Sequence, residues 1–363
     1  MTNSLDDLRA ELSDIDRRII DLIAERQRIV GAIGRDKLQT GMATRDYERE
    51  KTVISRAREQ AALQNVDTAL AEQIMTALIR SSLTSQERER VAASGKGGGR
   101  RVLVIGGGGK MGQWFVDFFN SQGFVVTIAD SSVEPGPDRF TAWRAAGLDY
   151  DIIVVATPLA VSARILEELA ELKPEALIFD IGSLKTPLRK GLKALREAGC
   201  NVTSIHPMYG PDTALLSGRH IIFVDVGVPA ATEAARELFS ETMADMLDMD
   251  VDDHDRLIAY VLGLSHALNI AFYTALAESG EAAPKLARMS STTFDSQLLV
   301  SAAVAGDNPH LYFEIQNLND YGMESLDALC EAAERLRRTV ADNDEDEFVR
   351  LMAQGRDYLA SRG

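Results

Sequence analysis

The chain has 363 residues, a length that suggests two or three domains. With 45% hydrophobic and 26% charged residues, its composition is that of an ordinary soluble globular protein. The net charge of −16 and the pI near 4.8 argue against nucleic acid or a membrane as a partner. Only Cys200 and Cys330 are present, without a His/Cys cluster, so neither disulfides nor a metal site are expected. The acidic N-terminus and the lack of a long uninterrupted apolar run predict a cytoplasmic protein.

The N-terminal part of the chain carries helical periodicity. Apolar residues recur at three-and-four spacing from Leu5 to about Leu38 and predict one long amphipathic helix. Two more helices are expected, from Asp46 to about Leu63 and from about Asp67 to Arg90. Because the first helix cannot bury its stripe against two shorter helices alone, the pattern favours pairing with a second chain.

A glycine-rich stretch at residues 93–100 is a flexible linker by composition and separates a helical domain, 1–92, from the rest of the chain. Beyond it, β-branched runs alternate with helical segments, which is typical of a doubly wound Rossmann-type α/β domain over 101–250. The pattern over 251–363 is helical throughout. The predicted strands are Arg101 to Ile105, Val125 to Ala129, Asp151 to Ala156, Leu177 to Asp180, Val202 to Ile205 and His220 to Val224.

The first of these strands runs directly into the loop GGGGKMG, and a helix comes next. Read as GxGxxG, Gly107 makes the tight turn, Gly109 lets the backbone approach a pyrophosphate, and Gly112 packs helix on strand. The helix N-terminus offers amide donors and a positive dipole to the phosphates. The expected cofactor contacts in this loop are Gly107, Gly109, Lys110, Met111 and Gly112.

A glycine loop alone is often only a turn, so the prediction of a dinucleotide depends on residues further along the chain. The second strand ends at Asp130, close to the ~20-residue spacing at which a carboxylate meets the ribose hydroxyls. A carboxylate there repels a 2′-phosphate, so the sequence favours NAD over NADP. Thr157, at a later strand end, is an expected contact on the nicotinamide side, where an ordinary strand-to-helix turn is the plainer interpretation.

Two further strand ends next to this crevice carry polar residues. The sequence GSLK, with Ser183 and Lys185, follows one strand, and HPMYGP, beginning at His206, follows the next. A histidine fixed by a following proline at the mouth of a dinucleotide site is a predicted proton acceptor. A capping or turn histidine is the alternative, favoured only where no glycine loop accompanies it.

HPMYGP after GSLK and a GGGGxMG loop resembles the prephenate dehydrogenase family, from about residue 101 to the C-terminus. The resemblance implies NAD-dependent oxidation of prephenate to 4-hydroxyphenylpyruvate with loss of carbon dioxide. It implies that neutral His206 accepts a hydrogen bond from the C4 hydroxyl of prephenate and that Ser183 also contacts this hydroxyl. It further implies that Lys185 supplies positive charge to a substrate carboxylate.

The helical region after residue 250 adds two observations. The sequence DHD at 253–255 also resembles the family, which places His266 at the substrate or tyrosine-feedback end of the pocket, although a helix-packing histidine explains it nearly as well. Asp295 and Ala303 stand where relatives with the same fusion have arginines that clamp the substrate carboxylate. Either a nearby cation such as Arg288 substitutes for them, or the substrate differs from prephenate, for instance by an amino group at C4.

Cations interrupt the apolar stripe of the first helix. Arg26 and Lys37 are eleven residues apart, almost three turns at ~3.6 residues per turn, so they project in nearly one direction. Desolvated cations on a core face are costly unless an anion pairs with them, which indicates a bound anion. Snorkelling of the side chains to water is the plainer interpretation, and it suffices for one such residue but not for two in line.

Together with Arg9 and the segment Arg45–Glu50, these cations resemble the all-helical chorismate mutase family over about the first 90 residues. The resemblance implies a dimer in which Arg9 comes from the partner chain, Arg9 and Arg26 hold carboxylates, and Lys37 holds the ether oxygen. The Claisen rearrangement is pericyclic and asks mainly for a compactly held dianion and a stabilised ether oxygen. The remaining implied contacts are Asp46 and Glu50 at the hydroxyl end, Arg49 in support, and Ser81 or Ser82, then Ser85, near the end of the third helix, with Gln86 one position late.

The sequence thus predicts three parts: an all-α three-helix chorismate mutase domain, a Rossmann-type NAD domain and an all-α C-terminal dimerisation domain. They are expected to act on chorismate and then prephenate as a homodimer, with tyrosine as a possible effector. Three alternatives stay open at this point: the same two steps on 4-amino-4-deoxy analogues, a dehydrogenase whose N-terminal helices only dimerise or sense tyrosine, and a generic NAD-linked hydroxyacid dehydrogenase.

Overall fold

The computed structural model describes residues 4–361. Its N-terminal part consists of α1 (Leu5–Gln39), α2 (Tyr47–Leu63) and α3 (Thr68–Ser94), as the periodicity predicted. Each helix begins at a side-chain cap, and the cap of α1 is a reciprocal pair between Ser4 and Asp7. None of the described residues of α1 is buried, so its apolar stripe is open along the whole helix.

The central domain is an eight-stranded sheet in the order β3-β2-β1-β4-β5-β6-β7-β8. All neighbouring strands are parallel except β6 and β7, which are antiparallel. The order reverses between β1 and β4, which opens a crevice at the carboxyl ends of the strands. The strands are β1 (Arg101–Ile105), β2 (Val125–Ala129), β3 (Arg139–Phe140), β4 (Ile152–Val155), β5 (Leu177–Asp180), β6 (Asn201–Pro207), β7 (His220–Val224) and β8 (Asp245–Met249).

Helices cover both faces of this sheet. Phe115, Phe179 and Phe239 belong to one buried layer, and Leu166 and Leu192 to the other, and all of them are almost completely buried. The sequence missed β3, because it has only two residues, and β8, because its acidic residues mask an edge strand. The helices are α4 (Lys110–Ser121), α5 (Leu159–Leu172), α6 (Arg189–Glu197) and α7 (Pro229–Glu237).

The C-terminal domain is entirely helical in the described residues. A six-residue π-helical turn, Ala259–Leu264, joins its first two helices into one continuous rod. The helices are α8 (Val251–Ile258), α9 (Ser265–Glu278), α10 (Ala283–Arg288), α11 (Thr292–Ala305), α12 (Pro309–Asn317), α13 (Gly322–Ala341) and α14 (Glu345–Ala360).

The rod Val251–Glu278 is long and apolar enough in composition to cross a membrane. Its first helix carries His254 and Asp255, which are completely buried against the central domain. The rod is therefore a packing helix of the C-terminal domain and not a membrane span.

The glycine-rich segment between α3 and β1 is held in place, which corrects the flexible linker expected from its composition. The amide of Gly97 donates to the carbonyl oxygen of Gln122 at 2.9 Å, and the ammonium of Lys96 lies 2.8 Å from the carboxylate of Glu237. A Cβ atom on Gly97 would lie 2.2 Å from the carbonyl carbon of Gly123. Glycine serves close backbone packing here, and the boundary at 93–100 stays a prediction.

We expect Gly97→Ala to destabilise the protein by about 1–3 kcal/mol, because the added methyl group overlaps backbone atoms that cannot move aside. Gly355→Ala is the matched control: Gly355 lies within exposed α14 with no neighbour near the added Cβ, and alanine there should stabilise by about 0.5–1 kcal/mol. Urea unfolding measures the free energy of unfolding of both variants. An unchanged value for Gly97→Ala would show that the segment is not packed against the NAD domain.

Candidate active sites

The glycine loop between β1 and α4 leaves no room for side chains. Gly106 has φ +89°, and a Cβ there would lie 2.4 Å from the carbonyl oxygen of Ala156. A Cβ on Gly112 would lie 2.1 Å from the carbonyl oxygen of Gly106, so helix and loop pack as predicted. The left-handed turn residue is Gly106 rather than Gly107, which corrects the expected role of Gly107. Gly109 is the first residue before α4, and Lys110 and Met111 begin it.

Asp130 stands at the end of β2, beside the glycine loop. Its carboxylate accepts hydrogen bonds from the amide of Gly108 at 3.1 Å and from the amide and hydroxyl of Ser132 at 2.8 and 2.7 Å. Burial alone raises the pKa of Asp130, but these hydrogen bonds outweigh it and lower the pKa, so the carboxylate is ionised. A cradle free of Cβ atoms with an anionic rim fits an NAD pyrophosphate and ribose.

Thr157 lies at the end of β4, on the other side of the same crevice. Its methyl group is the neighbour that a Cβ on Gly106 would meet at 2.9 Å. Its hydroxyl is 2.8 Å from the hydroxyl of Ser162 in the first turn of α5. The first amides of α5 donate to the carboxylate of Glu314 from α12, at 3.1 Å from Leu159. The C-terminal domain therefore closes over the end of β4, where Thr157 was predicted to contact the nicotinamide.

His206 lies near the end of β6 and heads a buried chain of polar groups. Its Nδ1 is 2.9 Å from Nε2 of His254, and Nδ1 of His254 is 2.6 Å from the carboxylate of Asp255. This carboxylate also accepts the backbone amides of Lys185 and Thr186, at 2.9 and 2.5 Å. His254 and Asp255 are completely buried, and His206 is 4% exposed. We call Asp255, His254 and His206 the relay.

The proton positions in the relay follow from Asp255, because an ionised carboxylate can only accept hydrogen bonds. Hydrogen bonds lower the pKa of Asp255 despite its burial, so its ionised carboxylate can only accept, and Nδ1 of His254 must donate to it. Burial lowers the pKa of His254, so the ring is neutral and its Nε2 accepts. His206 must then donate from Nδ1. Burial, with His254 and the Lys185 ammonium close by, holds the pKa of His206 well below 6.5, which leaves Nε2 as an unprotonated acceptor.

Lys185 does not face the substrate crevice, which corrects its predicted role. Its side chain is completely buried, and its ammonium lies 2.7 Å from the carboxylate of Asp180 and 2.8 Å from the carbonyl oxygen of Ile205. The second oxygen of Asp180 accepts from the hydroxyl of Ser204 at 2.5 Å. An ammonium whose charge is paired with a buried carboxylate is not available to a substrate carboxylate. It ties β5 to β6 beneath His206 and disfavours a proton on that ring.

Two other predicted residues keep free polar atoms. The hydroxyl of Ser183 is buried and lacks a partner among the described residues, as does Nδ1 of His266. The ring of His266 stacks on Tyr312 at a centroid distance of 4.0 Å, and Asp307 accepts from the Tyr312 hydroxyl at 3.3 Å. Burial lowers the pKa of His266. Both residues are therefore suited to a polar ligand atom.

The predicted clamp positions lie on α11. Asp295 is exposed in its first turn and accepts a hydrogen bond from the hydroxyl of Ser290. Ala303 is also exposed, near the end of the helix, and Arg288 is exposed at the end of α10. Among the described residues of this chain, no hydrogen bond holds a lysine or arginine side chain beside Asp295 or Ala303.

A cavity of about 460 Å³ lies between α1 and α3. Lys37, Gln86 and Arg90 are among its lining residues, and the ammonium of Lys37 donates to the carbonyl oxygen of Thr44 at 2.9 Å. Further along the same groove, Arg26 donates to the hydroxyl of Ser82 at 2.7 Å. Arg26 and Lys37 both face α3, and so project in one direction from α1, as the helical spacing predicted.

The structure corrects the α3 register expected from the resemblance. Ser85 is exposed and its hydroxyl donates to the carbonyl oxygen of Ser81, which is exposed too. Gln86 is buried and donates to the carbonyl oxygen of Val30 at 3.0 Å, so it is Gln86 that faces α1. Ser82, one turn before it, is the serine that meets Arg26. The helix turns ~100° per residue, so an alignment shifted by one position exchanges the two faces.

The other mutase residues make local contacts. The carboxylate of Asp46 caps α2 by accepting the amide of Arg49 at 2.9 Å, while the Arg49 side chain is exposed. Glu50 forms an ion pair with Arg45 at 2.9 Å. Arg9 is exposed and paired with Asp6 on its own helix. It stands 17 residues before Arg26, about 25 Å along α1 at ~1.5 Å per residue, so it cannot reach the groove of its own chain.

Sequence reasoning missed the residues that support the predicted ones. His254, Asp255 and Asp180 lie far from His206 in the chain, and only the fold brings them beneath it. The DHD sequence was noticed as a resemblance, and two carboxylates flanking a histidine were a usable signal for a relay. No local pattern marked Asp180 as the partner of Lys185.

Comparison with known proteins finds three family matches along the chain. Residues 8–87 match the family described as Chorismate mutase type II. Residues 137–246 and 250–354 match the nucleotide-binding and dimerization domains of prephenate dehydrogenase. The nucleotide-binding match begins after the glycine loop, so the assignment of the loop rests on its geometry.

Three curated relatives cover different parts of the chain. The T-protein of Enterobacter agglomerans is 26% identical over 87% of this chain and 82% of its own length. A chorismate mutase of Methanocaldococcus jannaschii is 32% identical over 24% of this chain and 89% of its own length. The 4-amino-4-deoxyprephenate dehydrogenase of Streptomyces pristinaespiralis is 29% identical over 72% of this chain and 92% of its own length.

A solved structure confirms the fold of the last two domains. The prephenate dehydrogenase of A. aeolicus, in complex with hydroxyphenyl propionate and NAD+, covers 73% of this chain and 98% of its own, with a TM-score of 0.56 and 18% identity. Fold and crevice together define a dehydrogenase of the doubly wound, NAD-dependent class, preceded by a helical mutase domain. The chain belongs to the family in which a type II chorismate mutase is fused to a prephenate dehydrogenase.

We expect Asp255→Asn to lower dehydrogenase kcat on the order of 10³–10⁴-fold, the loss that a wrong histidine tautomer causes in a Ser-His-Asp triad. The asparagine amide can donate to Nδ1 of His254, which reverses the relay and puts a proton on Nε2 of His206. NAD titration should show unchanged binding. Asp253→Asn is the control, since Asp253 is exposed and contacts Arg256; equal activities of the two variants would refute the relay.

Stability should fall as the pH drops below about 6.5. Burial lowers the folded-state pKa of His206 and His254, so the unfolded chain binds protons that the folded chain does not, and acid favours unfolding. Urea unfolding at about pH 7.5 and 5.5 should give a smaller loss for His206→Asn than for the wild type. An equal loss in both proteins would show that His206 titrates normally.

Proposed function

We propose that this protein converts chorismate to prephenate between α1 and α3 and oxidises prephenate with NAD at His206. The family establishes the two activities, and the residue roles are our assignment. The observation that carries it is the relay, because a histidine with an unprotonated Nε2 at the end of β6 is the acceptor that the prephenate C4 hydroxyl requires. Residues 1–92, 101–250 and 251–363 are the corresponding domains.

In the dehydrogenase site, the chain supplies positioning and one proton acceptor. Nε2 of His206 accepts the hydrogen bond and then the proton of the C4 hydroxyl, and the unpaired hydroxyl of Ser183 holds the same oxygen. The glycine loop from Gly106 to Gly112 and Asp130 would hold NAD, which would supply the hydride acceptor for C4. Loss of the ring carboxylate as carbon dioxide then aromatises the ring and makes the step irreversible. The free Nδ1 of His266 binds a polar group at the far end of the pocket, from either the substrate or the effector tyrosine.

In the mutase site, cations hold a dianion while its bonds rearrange. Lys37 and Gln86 face the same cavity, so both are placed to donate to the ether oxygen, and Arg26 holds a carboxylate. Asp46 and Glu50 take the hydroxyl end, with Arg49 in support. Arg9 completes the site from a second chain, since it lies too far from its own groove.

The same geometry supports a homodimer. Leu8, Leu12, Ile15 and Ile19 are 44–58% exposed on α1, a continuous stripe that a second α1 would cover. The C-terminal match to a dimerization domain supports a second contact between the same two chains. We place this dimer in the cytoplasm.

A second candidate concerns only the dehydrogenase substrate. Asp295 and Ala303 replace the expected arginines, and the Streptomyces pristinaespiralis relative is named for the 4-amino-4-deoxy compound. The unprotonated Nε2 of His206 can accept from a hydroxyl or from an ammonium group at C4, so the relay suits either substrate. We propose prephenate because both dehydrogenase domains match prephenate dehydrogenase and the T-protein relative spans most of the fusion.

The assignment is tested by supplying purified protein with chorismate, first alone and then with NAD, while chorismate loss and NADH formation are followed. Prephenate and 4-amino-4-deoxyprephenate are then supplied separately. We expect chorismate loss without NAD and a higher kcat/KM for prephenate. If NADH forms from the amino compound but not from prephenate, prephenate is not the substrate. If chorismate is not consumed, the proposed mutase activity is wrong.

The register of α3 gives a sharper test of the mutase site. Gln86→Ala should lower mutase kcat/KM by at least about 100-fold, because it removes a donor from the ether oxygen. Ser85→Ala, one position away on the exposed face, should leave it unchanged. Dehydrogenase activity on prephenate checks the folding of both variants. A larger loss of mutase kcat/KM in Ser85→Ala than in Gln86→Ala would show that Ser85, not Gln86, contacts the substrate.

A further inference from the structure

The mutase helices and the NAD domain share a buried contact that neither reaction requires. Glu87 in α3 is 4% exposed, and its carboxylate accepts two backbone amides of the NAD domain, from Leu216 at 2.8 Å and from Met243 at 2.6 Å. Val91, one turn later, belongs to the same buried layer as Phe118 and Phe239. Arg90 pairs with Glu241 at 2.7 Å. The end of α3 is thus part of the NAD domain's core.

The amide of Leu216 belongs to the segment that begins just after His206. This segment, Met208–Arg219, connects β6 to β7, and we call it the β6–β7 loop. Within the described residues, three hydrogen bonds that involve side chains from elsewhere in the chain anchor it. They join the Glu87 carboxylate to the amide of Leu216 at 2.8 Å, the guanidinium of Arg45 to the Ser217 hydroxyl at 2.6 Å, and the Trp114 indole to the carbonyl oxygen of Thr213 at 3.0 Å. Two of the three come from the mutase domain.

Both mutase anchors stand next to residues of the mutase site. Glu87 follows Gln86, which faces the cavity between α1 and α3. Arg45 pairs with Glu50 and follows Thr44, whose carbonyl oxygen accepts from Lys37. A dianion in the cavity would attract the ammonium of Lys37, whose hydrogen bond to Thr44 lies next to Arg45. One short path of bonds therefore runs from the mutase ligand to the loop after His206.

We infer that Glu87 is a positioning residue for the dehydrogenase reaction, through which an occupied mutase site holds the β6–β7 loop in its active arrangement. The inference rests on the proposed function. It requires a free-energy coupling between the two sites, so that ligand in the first favours substrate binding in the second. It is more specific than mere attachment of one domain to the other, because it assigns the coupling to two anchors of the β6–β7 loop, Glu87 at Leu216 and Arg45 at Ser217.

The experiment measures prephenate oxidation in the full-length protein with and without a saturating oxabicyclic dicarboxylate that mimics the mutase transition state. We expect the probe to raise kcat/KM for prephenate at least about threefold, mainly by lowering KM. In Glu87→Gln, which keeps the shape but turns one acceptor into a donor facing an amide, the increase should fall below about 1.5-fold. Ser217→Ala removes the other mutase anchor at a less buried position and should lose part of the increase.

Glu72→Gln is the matched control, since Glu72 lies on α3 in an exposed pair with Arg58 and should keep the full threefold increase. A Glu87→Gln protein that retains the wild-type increase would overturn the inference, as would a wild-type enzyme that ignores the probe. Failure of the proposed function would instead appear as absent mutase or dehydrogenase turnover in the wild type without any probe. A Glu87→Gln protein that is slower but still responds to the probe shows a structural role only, which also overturns the inference.

Discussion

The buried carboxylate of Asp255 is the constraint on which the dehydrogenase site depends. A fully buried anion is costly unless donors surround it, and this one receives two backbone amides and an imidazole. The amides belong to the turn after β5, so the contact fixes the C-terminal domain against the sheet. The imidazole begins the relay, so the same contact decides which nitrogen of His206 carries the proton. The contacts of Asp255 therefore both join the C-terminal domain to the sheet and set the protonation of His206.

Carboxylates perform the same task at the other junctions. Glu87 joins the mutase helices to the NAD domain by accepting two amides, and Glu314 joins α12 to the first turn of α5. In a chain of net charge −16, acidic side chains are plentiful, and amides at loops and helix starts are the donors that need partners. Each junction lies close to a catalytic segment. The three domains therefore do not behave as separable modules tied by a linker, and the packed segment at Gly97 agrees with this.

Sequence patterns predicted the features that depend on local chemistry. The glycine loop, the carboxylate of Asp130 and the position of His206 follow from strand, turn and helix signals within a short stretch. Lys185 could not be placed in this way, because its burial depends on Asp180 and Ile205 meeting across neighbouring strands. The exchange of Ser85 for Gln86 has a different origin, since a helix surface is sensitive to a shift of one residue. The edge strand β8 was not predicted, because its exposed acidic residues obscure the alternation of apolar and polar residues.

The relay holds His206 neutral, with its proton on Nδ1. Nitrogen-15 NMR of the full-length protein with labelled histidine, assigned by comparison with His206→Asn, measures this directly. At about pH 7 we expect a protonated Nδ1 and an unprotonated Nε2 for His206. A proton on Nε2, or a cationic ring at that pH, would contradict it.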